Sequence, residues 1–128
     1  MKTPLFQKID CLNLRVGDLE AALRFYDERL GHRLLWRTEQ AAGMRLANSV
    51  AELVLHTDDH PTETDLTVES VPDAIQAFVS AGGKLVAGPF EIQIGLCAII
   101  EDPWRNQLTI LDNSKGLLNV DANKNVIG

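Results

Sequence analysis

A chain of 128 residues has the length of one ordinary domain, and its 45% hydrophobic and 23% charged content is that of a globular protein in water. The net charge of −6 argues against binding along a nucleic-acid backbone, which needs clustered Lys and Arg, and no apolar run reaches membrane-spanning length. Cys11 and Cys97 are too few for a disulfide framework, and Met1-Lys2-Thr3-Pro4 leads into a strand pattern with no apolar signal core, so a cytoplasmic protein is expected.

Residues 9–16 alternate, with Leu12, Leu14 and Val16 on one face and Cys11, Asn13 and Arg15 on the other, which predicts a strand. Asp18 is placed to cap a helix over 18–30, whose Leu19, Ala22, Leu23, Tyr26 and Leu30 form an apolar stripe ending at Gly31. Strands near 32–37, 42–47 and 50–57 follow, and the third offers Glu52, Val54 and His56 on one face. Beyond a polar loop, Thr57-Asp58-Asp59-His60-Pro61-Thr62, a strand near 63–68 offers Glu63, Asp65 and Thr67. Ser70 then caps a helix over 71–81, with Pro72 in its first turn and Asp73 three residues past the cap. Val71, Ala74, Ile75, Phe78 and Val79 are its buried stripe, and Ala81-Gly82-Gly83 stops it. Strands near 84–91, 95–101 and 106–111 complete the pattern; Cys97 reads as a small buried hydrophobe, and the last strand offers Gln107, Thr109 and Leu111.

The chain repeats. Slid by 52 residues, Leu12 falls on Thr64, Val16 on Val68, Asp18 on Ser70, Ala22 on Ala74, Tyr26 on Phe78 and Gly31 on Gly83. The expected fold is therefore α+β: two tandem β-α-β-β-β units, about 7–57 and 62–112, forming curved mixed sheets around a cleft within one domain over 1–112. Residues 113–128 form a tail with Leu117, Leu118, Val120, Val126 and Ile127, which covers a sheet edge, crosses to a partner or stays disordered. Each helix covers one sheet face. The uncovered faces carry Cys11, Asn13, Arg15, Glu52, His56, Glu63, Asp65, Gln107 and Thr109, too polar a set for a dry core and suited to a wetted ligand site.

The stretch from Ile9 to Tyr26, IDCLNLRVGDLEAALRFY, resembles the opening of the vicinal-oxygen-chelate superfamily, which covers glyoxalase I, bleomycin-resistance proteins and extradiol dioxygenases. Leu30-Gly31 is similar to a second signpost of that group. Glu101-Asp102-Pro103-Trp104-Arg105-Asn106 is similar to its Asp-Pro-x-Gly-Asn turn, with Arg105 where glycine is common. The resemblance runs from about Ile9 to Asp112 and implies the paired-unit fold; it says much less about activity.

Metal-dependent members take ligands from the first and last strands of each unit, typically two His and one or two Glu. Carried over, those positions fall on Cys11, Glu52, Glu63 and Thr109, so only Glu52 keeps a family ligand type and no metal or other cofactor is expected. A salvaged site of Cys11, Glu52, Glu63 and His56, or one in which His60 shifts into the fifth-strand role, is an unusual donor set that restores no family pattern. Cys11 as a nucleophile lacks a supporting motif for a base at His56, and Glu52 with Glu63 could act as an acid-base pair. No catalytic residue is assigned. His32 is given no role, Trp36 and Trp104 supply stacking surface, core or turn, and Gly82-Gly83 follows a helix and so makes no phosphate loop.

The resemblance thus implies a protein that binds a small molecule, cationic by the local charge, in the cleft without the usual catalytic metal, like the bleomycin-resistance proteins. The competing readings are a lyase, isomerase or dioxygenase using a divergent metal site or acid-base carboxylates, and an interaction module. A homodimer is expected, because in the family open faces are often closed by a second chain.

Overall fold

The structure, a computed structural model, describes residues 3–127; Met1, Lys2 and Gly128, the outermost residues of the leader and tail read above, lie outside the described residues. The chain forms two compact units, Asp10–Glu63 with the tail from Leu118, and Thr64–Leu117 with the described residues through Ile9. The fold is α+β, and each unit has the β-α-β-β-β order.

The first unit runs β1 (Lys8–Arg15), α1 (Leu19–Leu23), β2 (Leu34–Arg37), β3 (Ala41–Arg45) and β4 (Glu52–His56), in sheet order β2-β3-β4-β1. β1 and β4 are parallel, and the other pairs antiparallel. Asp18 caps α1 as expected, its carboxylate accepting from the Ala21 amide at 3.1 Å. Leu19 and Ala22 press onto Ala42, Met44, Leu53 and Leu55, with Leu14, Val16, Leu23 and Tyr26 at the margin.

The helix does not stay α-helical to its end. Arg24–Arg29 form wider π-helical turns, closed by the Leu30 amide donating to the Phe25 carbonyl at 3.1 Å. This inserts one residue relative to the second unit. The left-handed glycine that ends each helix is therefore Gly31 (φ 81°) in the first unit and Gly82 (φ 117°) in the second, one position off the Gly31–Gly83 match of the sequence.

The second unit runs β5 (Glu63–Thr67), α2 (Val71–Ser80), β6 (Lys84–Ile92), β7 (Gly95–Glu101) and β8 (Gln107–Leu111), in order β5-β8-β7-β6, with β5 and β8 parallel. Ser70 caps α2 through the Asp73 amide at 3.4 Å, 52 residues after the Asp18 cap and with nearly the same backbone angles. Val71 and Ala74 pack on Val68, Ala98, Ile100 and Ile110, and Leu5 and Phe6 from the leader join them. Asp112, which the sequence reading passed over, is 1% exposed. It accepts from the amides of Val71 (2.8 Å), Leu96 (3.0 Å) and Ser114 (3.1 Å) and from the Ser114 hydroxyl (2.7 Å). Burial alone would raise its pKa, but these bonds hold it below the usual carboxylate value. Gly95 is needed beside it, since a Cβ there would stand 2.2 Å from Asp112 Oδ1.

Two five-residue turns share one construction. Asp102 accepts from the amides of Trp104 and Asn106, both at 2.9 Å, and from the Asn106 side chain; Asp121 does the same for Asn123 and Asn125. Each puts its fourth residue in the left-handed region, Arg105 at φ 71° and Lys124 at φ 68°. That accounts for the glycine common at the position of Arg105. Of the tail readings, the edge-covering one describes the first unit: β9 (Asn119–Val120) and β10 (Val126–Ile127) form a hairpin, and the Arg37 amide of β2 donates to the Lys124 carbonyl at 2.8 Å.

Candidate functional site

In the first unit the sheet face opposite α1 carries Cys11, Asn13, Gly43, Glu52, Val54 and His56, because their neighbours Leu14, Ala42, Met44, Leu53 and Leu55 fill the helix-side core. The parallel register sets Cys11 beside Glu52, Asn13 beside Val54 and Arg15 beside His56. This face is drier than its composition suggests. Cys11, Asn13 and His56 are buried, Glu52 is half-buried, and Arg15 is exposed.

Part of the cover comes from Trp36. Trp36 lies across β3 at Gly43, where a Cβ would stand 2.0 Å from the indole nitrogen, and its Nε1 donates to Glu52 Oε1 at 2.6 Å. Gly43 is what lets a β2 side chain reach a β4 carboxylate. Burial pushes the Glu52 pKa up, the indole hydrogen bond pulls it part of the way back, and Asp10 adds to the rise. Asn13 Nδ2 donates to Cys11 Sγ at 3.4 Å.

At the end of β4, His56 is 2% exposed and its two ring nitrogens have no hydrogen-bond partner. Its ring stacks on His60 with centroids 3.7 Å apart. Burial lowers its pKa, the charge of His60 lowers it further, and Asp58 and Glu63 oppose both. Glu63 Oε1 is 3.2 Å from His60 Nδ1, and Arg15 pairs with Asp59 at 2.9 Å. His56 and His60, read from the sequence as a strand end and a polar loop, thus form one cluster with Glu63.

The other candidates belong to the second unit. Asp65 is half-buried beside Thr109 in the β5–β8 register, and Thr67 is buried. Gln107 is exposed and donates to Glu101 at 3.4 Å, which also pairs with Lys84 at 3.1 Å. Cys97 is half-buried rather than buried, because Ala98 and Ile100 take the helix-side positions of β7. Trp104 is an exposed turn residue.

The metal implied by the family positions does not fit the residues present. The Cys11 sulfur accepts from Asn13, Glu52 is engaged by an indole, Glu63 by a histidine, and Thr109 offers a neutral hydroxyl. The sequence could not show the Trp36–Glu52 bond, because it depends on a cross-strand diagonal over a glycine.

Two β-α-β-β-β units, each with parallel first and last strands and a polar face opposite its helix, define a duplicated α+β fold. The Glyoxalase/Bleomycin resistance protein/Dioxygenase superfamily model matches residues 8–110, and the chain belongs to that superfamily. No curated protein matches the sequence. Among solved structures, methylmalonyl-CoA epimerase from Mycobacterium tuberculosis is similar at 17% identity and a TM-score of 0.70, covering 89% of this chain and 93% of its own. An NAD-dependent benzaldehyde dehydrogenase structure from Legionella pneumophila is similar at 16% identity and TM-score 0.66, covering 81% and 98%. Homoprotocatechuate 2,3-dioxygenase from Brevibacterium fuscum is similar at 18% identity and TM-score 0.64, covering 89% of this chain but only 39% of the dioxygenase. At these identities the likeness is one of fold.

Proposed function

We propose that the protein binds a small molecule, cationic or rich in hydrogen-bond donors, on the polar sheet faces, without a metal at the positions where its superfamily commonly holds one. The observation that supports this reading is the Trp36–Glu52 bond: the one family ligand position that keeps its residue type is tied to an indole. An indole face beside a carboxylate is a recognition pair for an organic cation. Asp10 acts on the same carboxylate, so the charge beside the indole is negative. We place the protein in the cytoplasm, where cysteines such as the buried Cys11 stay reduced, and assign it a homodimeric state. Among the described residues no helix is long and apolar enough to cross a membrane.

A thermal-shift screen of paired organic cations and anions tests the reading, followed by Glu52→Gln and Asp65→Asn on the hits and light scattering for the dimer. Losing a desolvated carboxylate that pairs with the ligand should weaken binding roughly ten- to a hundredfold. Preferential binding of anions, or chemical turnover of a bound hit, would overturn the reading, and a monomer mass at micromolar concentration would remove the dimer.

A further inference from the structure

We propose that His56, Asp58 and His60 form a site for a divalent transition-metal ion of the zinc class, with none of its ligands at the family's ligand positions although Glu63, one of those positions, borders it. His56 and Glu52 are four residues apart on β4, roughly 13 Å along the strand. The inference is independent of the ligand reading above.

Three observations carry it. Nδ1 or Nε2 of His56 and His60 and a carboxylate oxygen of Asp58 lie within 4.8 Å of one another. His56 is 2% exposed with neither nitrogen in a well-formed hydrogen bond, although buried polar atoms are almost always paired, and the backbone contact it does have is to Asp58, inside the cluster. Finally, Glu63 stands 3.2 Å from His60 Nδ1, the carboxylate–histidine arrangement that orients a ligating imidazole and leaves Nε2 for the metal.

The charges agree. Asp58, Asp59 and Glu63 against Arg15 give the carboxylates an excess of two for a dication. Two imidazoles and a carboxylate suit zinc, nickel or cobalt better than calcium or magnesium, which take mostly oxygen. The rings are stacked with an interplanar angle of 21°, so an ion lying in the plane of both requires His60 to tilt. His60 is on an exposed loop, and its Nδ1 lies 3.2 Å from both Glu63 Oε1 and the Pro61 carbonyl, so the tilt has to pivot about that nitrogen. Three protein ligands on an ion that takes four leave one position for water or a small anion.

The test is zinc titration of the full chain against a chromogenic chelator, repeated with cobalt to read its tetrahedral absorption bands. We expect about one equivalent per chain, with cobalt bands of a nitrogen–oxygen site. His60→Ala and Asp58→Asn alter exposed side chains and should keep the metal-free melting temperature while weakening zinc by more than about tenfold; Glu63→Gln should weaken it about tenfold through the orienting bond. His56→Ala, which empties a buried position, is not needed. No zinc or cobalt bound at 100-fold excess over protein would overturn the proposal. So would zinc that survives both His60→Ala and Asp58→Asn, or zinc lost on Glu52→Gln with those two variants unaffected.

Discussion

Replacing Trp36 by Phe isolates the bond on which the proposed function leans. The ring remains over Gly43, but the N–H that donates to Glu52 at 2.6 Å is gone. A hydrogen bond to a charged group contributes about 1.5–3 kcal/mol, and Glu52 is half-buried, so water replaces only part of it. Adding the smaller ring's lost contact, the expected cost at pH 7 is about 2–3 kcal/mol, a melting point lower by roughly 6–12 °C for a domain of this size. The indole bond favours the ionised carboxylate, so without it the Glu52 pKa rises further. A carboxyl whose folded pKa is raised is destabilising above that pKa and harmless below it, so the penalty of Trp36→Phe must shrink as the pH falls through the Glu52 titration. Urea melts from pH 4 to 8 measure this, and a Trp36→Phe/Glu52→Gln cycle isolates the pair. A penalty under about 0.5 kcal/mol at pH 7, or one that grows in acid, would refute the reasoning.

Two further outcomes follow from the turns and the buried carboxylate. Asp112→Asn keeps one acceptor but sets an amide donor against the Val71 or Leu96 N–H; we expect a loss of about 2–4 kcal/mol, read by denaturant melts. Because the Asp112 pKa is held low, its contribution is present above the unfolded carboxylate value and lost as pH falls through the folded one, so the gap between wild type and variant should close in strong acid. Arg105→Gly should stabilise by up to about 1 kcal/mol, since relief at φ 71° outweighs the extra entropy of glycine in the unfolded chain; a lower melting point would show that Arg105 makes a compensating contact.

Much of the fold was legible because each unit is written in strong local signals. Asp18 and Ser70 cap their helices, the apolar stripes face their cores except at their last members, Leu30 and Val79, which are exposed, and all eight main strands fall within a few residues of the alternation that predicted them. What escaped was non-local or added by insertion. The π-helical turns leave no mark in an apolar stripe, so they shifted the glycine match by one. The leader's Leu5 and Phe6 pack on the second unit, which no periodicity could assign. At the site, alternation placed Cys11, Asn13, Glu52 and His56 on one face correctly but not their burial, which depends on tertiary cover such as Trp36 over Gly43. His56 and His60 looked unremarkable singly; only the return of the loop stacks them.

The hairpin at the end of the chain has a consequence for how copies of this protein can meet. β2 is the outer strand of its sheet, and such a strand recruits others through its unsatisfied amides. The turn between β9 and β10 takes the Arg37 amide at the end of β2, which blunts that invitation there. β6, the outer strand of the other unit, is guarded differently: Pro89 has no N–H to offer, and two shifts of register against β7 break its straight run. With both rims interrupted, strand addition is disfavoured at each, and association falls more to side-chain surfaces, where a single substitution can tune it. Removing residues 118–127 should instead give open-ended, concentration-dependent aggregation rather than a cleaner monomer.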